Sequence, residues 1–265
     1  MGPLRSAGRG DSFVHPGSHR GVNPDPVSVG AGAWPDPESR WGLGEVALGI
    51  VASQVLLLVA QVVVFGLAGW TSVEEVPLWA TAVLQIPLWA GWIAALAVAG
   101  SKGHGVVREF GFTIRGIDVP IGLGVGLGVQ FIVVPLIYWP LLSILGRTQD
   151  DLAEPARNLA DKASGAAGWV LLGLVVVVGA PVVEELFYRG LLLGALRKRR
   201  WPAVIAAAVS GAVFAAMHFQ PLQFPGLFVL GTILALLVLR TGRLGSAIVA
   251  HATFNAVTVV ALLSA

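Results

Sequence analysis

The sequence predicts an all-α fold, a polytopic bundle of membrane-spanning helices, and three observations carry that prediction. Of the 265 residues, 55% are hydrophobic and only 12% are charged, against roughly 25% charged in an average soluble domain. Mean hydropathy is +0.79. Apolar stretches recur at 43–70, 77–100, 118–145, 166–196, 202–219, 225–240 and 245–264, and most reach the ~20 residues needed to cross ~30 Å of hydrocarbon. Seven spans are therefore expected, the sixth short, with an eighth if the fourth stretch divides at Gly179-Ala180-Pro181. The lipid bilayer is the first expected partner.

Residues 1–42, rich in Gly, Pro and Ser with charges of both signs and no apolar period, read as a disordered cytoplasmic tail. They lack the short apolar core and small-residue cleavage site of a signal peptide, so the tail is expected to stay attached. Residues 43–265 form the membrane domain. Tryptophans 70, 79, 89, 92, 139, 169 and 201 lie in or beside the spans, several near the ends, where an interfacial aromatic belt accounts for them. In the third span Gly122, Gly124, Gly126 and Gly128 alternate with aliphatics; with no preceding strand this is close helix packing rather than a dinucleotide loop. The acidic segment 147–165 is expected to form a short surface helix over the outer mouth of the bundle.

Charge sets the orientation, because cytoplasmic loops collect Lys and Arg. With seven spans, thirteen basic residues fall on one side: four in the tail, then Lys102, Arg108, Arg115, the cluster Arg197 to Arg200, Arg240 and Arg243. The other side holds Arg147, Arg157 and Lys162, and Arg189 lies inside the fourth span. The N-terminus is thus expected in the cytoplasm. The cluster at 197–200 directly follows a span, so it reads as a topology anchor and no nucleic-acid partner is expected. Arg outnumbers Lys 14 to 3, which points to a GC-rich bacterial genome and hence a bacterial plasma membrane. There is no cysteine, so disulfides, thiolate catalysis and thiolate metal sites are excluded together.

Six polar residues interrupt the most apolar stretches: Glu184, Glu185, Arg189, His218, His251 and Asn255. Ionised groups at the bilayer centre cost about 2.5–3.5 kcal/mol each on insertion scales, so their retention points to function. Glu185 and Arg189 are four apart on one helix face, suited to an ion pair, whereas Glu184 lies about 100° away, on the side of Tyr188. A carboxylate left without a cation suits a general base working near neutral pH. The alternative is a buried ion pair that fixes helix register, with Glu184 a neutral bystander. Phe214 lies one turn before His218, and His251 shares a face with Asn255. Measured from the cytoplasmic ends of the spans, Glu184 lies at about 18 Å, His218 at about 24 Å, Asn255 at about 15 Å and His251 at about 9 Å. That spread implies a deep cavity and a fifth span tilted or broken near Pro221 and Pro225.

The ordered patterns EExxxR (Glu184, Glu185, Arg189), FxxxH (Phe214, His218) and HxxxN (His251, Asn255) resemble the CAAX prenyl protease type II family, also called the CPBP or Abi family of intramembrane proteases. The resemblance covers about residues 166–264; the first three spans match only in being hydrophobic. It implies hydrolysis of peptide bonds of a membrane-associated peptide or protein, with Glu184 activating water, His218 assisting, and His251 and Asn255 steadying the oxyanion. Asn and His are suitable oxyanion donors, each worth about 2.7–4 kcal/mol of barrier. The family is called metalloprotease, and members are also described as using glutamate without metal. The metal-free reading is preferred here, with zinc held by Glu184, His218 and His251 as the alternative, a two-His, one-carboxylate set that zinc hydrolases use. The rival from another class is a non-enzymatic protein, a bacteriocin-immunity scaffold or a proton-coupled transporter, since buried Glu and His also serve proton relays; no repeat between the halves favours a transporter.

Overall fold

The computed structural model describes residues 1–2, 34–36 and 38–264, so most of the tail predicted over 1–42 lies outside the described residues. Among these residues the secondary structure is entirely helical: α1 (Leu43–Ala68), α2 (Leu78–Ser101), α3 (Val106–Glu109), α4 (Asp118–Leu145), α5 (Gln149–Ala160), α6 (Gly165–Lys198), α7 (Ala203–Ala216), α8 (Phe224–Thr241) and α9 (Gly245–Leu263). Six of them, α1, α2, α4, α6, α8 and α9, are long and apolar enough to cross a membrane. Leu58, Val59, Val62 and Val63 of α1 are all more than half exposed, as expected of a surface solvated by lipid rather than water.

Two expectations about the spans are corrected. The short helix is the fifth, α7, with 14 residues, whereas the sixth, α8, has 18. The chain leaves the helix at Met217 and Phe219 takes a left-handed backbone with φ 53°, so the apolar residues between 217 and 223 form a turn. The fourth stretch is not divided at Pro181: α6 runs unbroken for 34 residues. Its backbone absorbs the proline by widening, with π-helical stretches at Leu174–Gly179 and Glu185–Leu192 on either side. Such widened turns free carbonyls and are frequent at functional sites.

Contacts at the helix ends define two faces. On the first, Lys198 Nζ donates to the carbonyl oxygens of Ser39 and Trp41, Lys102 pairs with Glu45, and Arg243 holds Asp118 at 2.7 Å. These bonds gather the start of α1, α4 and α9 with the end of α2, α6 and α8. On the opposite face Lys162 Nζ donates to the carbonyls of Val73 and Val76 (2.7 and 2.8 Å), and Gln223 Nε2 donates to the carbonyl of Leu152 (2.9 Å). The predicted surface helix is α5, started by Thr148, whose side chain accepts from the Asp151 backbone while Asp151 caps in return.

Packing between helices depends on glycine where backbones approach. A Cβ on Gly91 of α2 would stand 2.3 Å from the Ser53 nitrogen of α1. In the glycine run of α4, Gly122 and Gly126 face Val249 and the Ala250 carbonyl of α9 with room for no methyl, whereas Gly124 and Gly128 meet nothing within 4 Å. The close-packing reading holds, carried by one small residue per turn. Aromatic rings then link α2 to the centre: Trp92 stacks on Phe187 at 5.2 Å, Phe187 meets Tyr188 edge-on at 5.2 Å, and Tyr188 meets Phe214 at 5.4 Å. Trp92 is therefore core rather than interfacial belt, while Trp79 and Trp139 are exposed.

Candidate functional site

The aromatic chain ends on the polar residues. Phe214 of α7 meets His218 edge-on at 4.7 Å and His251 of α9 at 5.6 Å, and the Arg189 guanidinium lies 4.4 Å over its ring. Phe214 thus sets the position of a cation and two imidazoles at once, which gives FxxxH a physical reason.

The predicted Glu185–Arg189 ion pair is present at 2.8 Å with both side chains fully buried. Arg189 also donates to the Gly231 carbonyl of α8 at 3.2 Å. Glu185 Oε1 accepts a second time, from His251 Nδ1 at 2.9 Å. His251 Nε2 lies 3.8 Å from Glu184 Oε2. Arg189, Glu185, His251 and Glu184 therefore form one chain of charge-bearing groups running from the buried centre of α6 to an accessible end, since the Glu184 side chain keeps 14% of its surface. Glu185 Oε2 and Arg189 Nε have no hydrogen-bond partner among the described residues.

His218 sits beyond the end of α7, where its Nδ1 faces the Phe214 carbonyl at 2.8 Å. A carbonyl only accepts, so the proton belongs on Nδ1 and the lone pair of the neutral ring on Nε2. Asn255 Nδ2 donates to the Val176 carbonyl at 2.8 Å, an oxygen in the first widened stretch of α6.

Glu184, His218, His251 and Asn255 open onto one cavity of about 300 Å³, walled by aliphatic residues of α5, α6 and α9. Among the described residues, larger hollows of about 450 and 490 Å³ elsewhere are lined by no ionisable residue. Gln85 of α2 and Gln220 and Gln223 of the α7–α8 turn also line the site cavity. Sequence reasoning missed all three, although a glutamine inside an apolar stretch, as at Gln85, is the same kind of signal as a buried histidine.

Zinc would need three donors about 3.3 Å apart around a tetrahedral ion. The Glu184–His251 distance approaches this, and the Nδ1 partners of both histidines are of the kind that orient zinc ligands. The donors of Glu184, His218 and His251 do not, however, lie within 4.8 Å of one another. In this arrangement the set does not fit one ion. Among the described residues a group that does meet that distance is Asp36, His104 and Glu109, but Glu109 already accepts from His104 N (2.6 Å), Ser39 Oγ (2.6 Å) and Trp41 Nε1 (2.7 Å). These donors make it an anchor for the segment before α1.

A comparison with protein families finds a match between residues 166–257 and the family described as type II CAAX prenyl endopeptidase Rce1-like. No curated protein and no solved structure matches the chain. The matched stretch runs from the first turn of α6 into α9 and contains all three motifs and every residue of the Arg189–Glu185–His251–Glu184 chain. Over residues 166–257 the chain is therefore similar to the type II CAAX prenyl endopeptidases, as its motifs suggested.

Proposed function

We propose that the protein is an intramembrane endopeptidase in which Glu184 activates water against a peptide bond. The observation that carries this reading is the placement of the Glu184 carboxylate in a cavity with His218, His251 and Asn255, while its neighbour Glu185 is held by Arg189 and His251. One glutamate is thus engaged and the other is free to accept a proton. In the step proposed, the water oxygen adds to the carbonyl carbon and its proton passes to Glu184. The carbon–nitrogen bond then breaks and the leaving amine takes that proton.

The hydrogen bonds support the roles implied by the family resemblance. With Nδ1 committed to the Phe214 carbonyl, His218 presents an acceptor at Nε2 that can orient the attacking water. Asn255 keeps a second amide hydrogen beyond the one given to Val176, which suits the oxyanion, and the resemblance assigns His251, whose Nε2 lies 3.8 Å from Glu184, to the same oxygen. We further propose seven crossings, with α7 completing the fifth together with its following turn, and a cytoplasmic N-terminus in a bacterial plasma membrane. The substrate would be a membrane-associated peptide or protein.

Cleavage of a membrane-peptide library by the purified protein in detergent, wild type against Glu184→Gln, each with and without a strong chelator, tests the proposal. Products lost with Glu184→Gln and unaffected by the chelator support glutamate-activated water. Loss under both brings a metal in, and identical behaviour of the two proteins sinks the protease reading in favour of a scaffold or transporter.

A further inference from the structure

The helix ends that form the cavity all belong to one face of the bundle. In α6 the lining residues run from Leu172 to Glu184 and stop there, before the basic end at Lys198. In α9 they run from His251 towards Leu262, away from the Arg243 end. Gln85 lies in the first half of α2, and Gln220 and Gln223 follow α7. Amphipathic α5 covers this opening: Leu152, Pro155, Ala156 and Leu159 face the cavity, while Asp150, Glu154 and Asn158 are exposed. The basic residues Lys102, Arg108, Arg115, Arg197 to Arg200, Arg240 and Arg243 lie at the other face, where the Lys198 and Arg243 bonds tie the helix ends together. That face is cytoplasmic by the distribution of positive charge.

The lining chemistry narrows what can enter. Among the described residues neither Lys nor Arg lines the cavity, and the ionisable groups there are Glu184, His218 and His251. A substrate carboxylate, on a side chain or at a free C-terminus, would be brought beside Glu184 with no cation to pair it, in a poorly solvated space. The three glutamine amides each offer both a donor and an acceptor, the pattern that an extended peptide backbone presents.

Resting on the proposed peptidase reading, we infer that the site takes an extended, uncharged peptide segment from the non-cytoplasmic face, beneath α5, and that an internal bond rather than one beside a free carboxylate reaches Glu184. The chain has no cysteine, so a single introduced thiol reports access without background. Gln220→Cys and Thr258→Cys, both at cavity-lining positions, and Arg240→Cys as the reference for the basic face would be exposed to a membrane-impermeant maleimide in right-side-out and inside-out membrane vesicles. Gln220→Cys and Thr258→Cys should label in right-side-out vesicles and lose labelling in inside-out ones, and Arg240→Cys should do the reverse. Labelling of the two cavity thiols from the same side as Arg240→Cys overturns the direction of entry, whether or not the protein is a protease. The substrate half is read in detergent with a short fluorogenic peptide of Ala, Val, Leu and Gln blocked at both ends, and the same peptide with Asp flanking the cleaved bond. Glu184-dependent cleavage of the first and a roughly 10²-fold loss with the second are expected from the cost of the unpaired charge. Equal cleavage of both overturns the selection against charge, and absence of Glu184-dependent cleavage of either peptide overturns the peptidase reading while the labelling still decides the face of access.

Discussion

At the scale of single residues, the two glutamates of one dipeptide have different surroundings, and the difference is testable. Glu185 has no exposed surface and shares Arg189 and His251, whereas Glu184 keeps contact with the cavity. Glu184→Gln should therefore lower turnover by about 10²–10⁴-fold, the usual worth of a general base, with little change in the melting temperature of the detergent-solubilised protein. Arg189→Met leaves a buried carboxylate without its cation and should cost about 3–5 kcal/mol of stability, seen as a large fall in melting temperature; a small fall would show that the pair does little to hold the fold. Asn255→Ala should lower kcat by about 10²–10³-fold with KM little changed, if its remaining amide hydrogen meets only the oxyanion. Fluorogenic peptide kinetics separate these cases. The Glu185–Arg189 pair was legible in the sequence because four residues on a helix place two side chains together whatever the tertiary fold. The Glu185–His251 bond was not, because it joins residues 66 apart in sequence.

Among the elements, α1 and α2 illustrate how composition sets approach distance. Gly91→Ala pushes a methyl into the backbone of Ser53 and should destabilise by about 1–3 kcal/mol, whereas Gly66→Ala, which meets nothing within 4 Å, should be neutral or slightly stabilising. Thermal melts of the two variants check the contrast. The long α6 shows the limit of reading elements from sequence. Pro181 in an apolar stretch signals a break, yet the helix continues by widening, because its neighbours hold it on both sides: Trp89 fills the space over Gly179, and Asn255 takes the freed Val176 carbonyl. The shortness of α7 was hidden because the apolar stretch runs past the helix end through Met217 and Phe219.

At the scale of the whole molecule, Glu109 anchors the segment before α1 to the basic face. Burial pushes its carboxyl up, but the hydrogen bonds from Ser39, Trp41 and His104 outweigh this and hold it at about 2, below the ordinary 4.5. A carboxyl lowered in the native state stabilises the fold above its unfolded value, and that contribution is lost as pH falls through the native one. Stability should therefore decline from about pH 4.5 down to about 2, by about 3 kcal/mol from this group, and Glu109→Gln should flatten the decline. Denaturation followed against pH in detergent checks the sign. The same network explains why the last residues of the predicted 1–42 tail pack against the bundle instead of being disordered: Lys198 donates to Ser39 and Trp41 across 159 and 157 residues of sequence.

The sequence by itself determined the all-helical membrane architecture, the spacing of the three motifs and the side on which basic residues gather, because each of these follows from local periodicity, composition or loop charge. The tertiary structure decided which histidine stands beside which glutamate, that α7 ends before His218, and that the cavity opens under α5 away from the basic face. Those outcomes depend on contacts between residues far apart in the chain, among them the packing of Phe214, Trp92 and the glycine faces, and no local pattern encodes them.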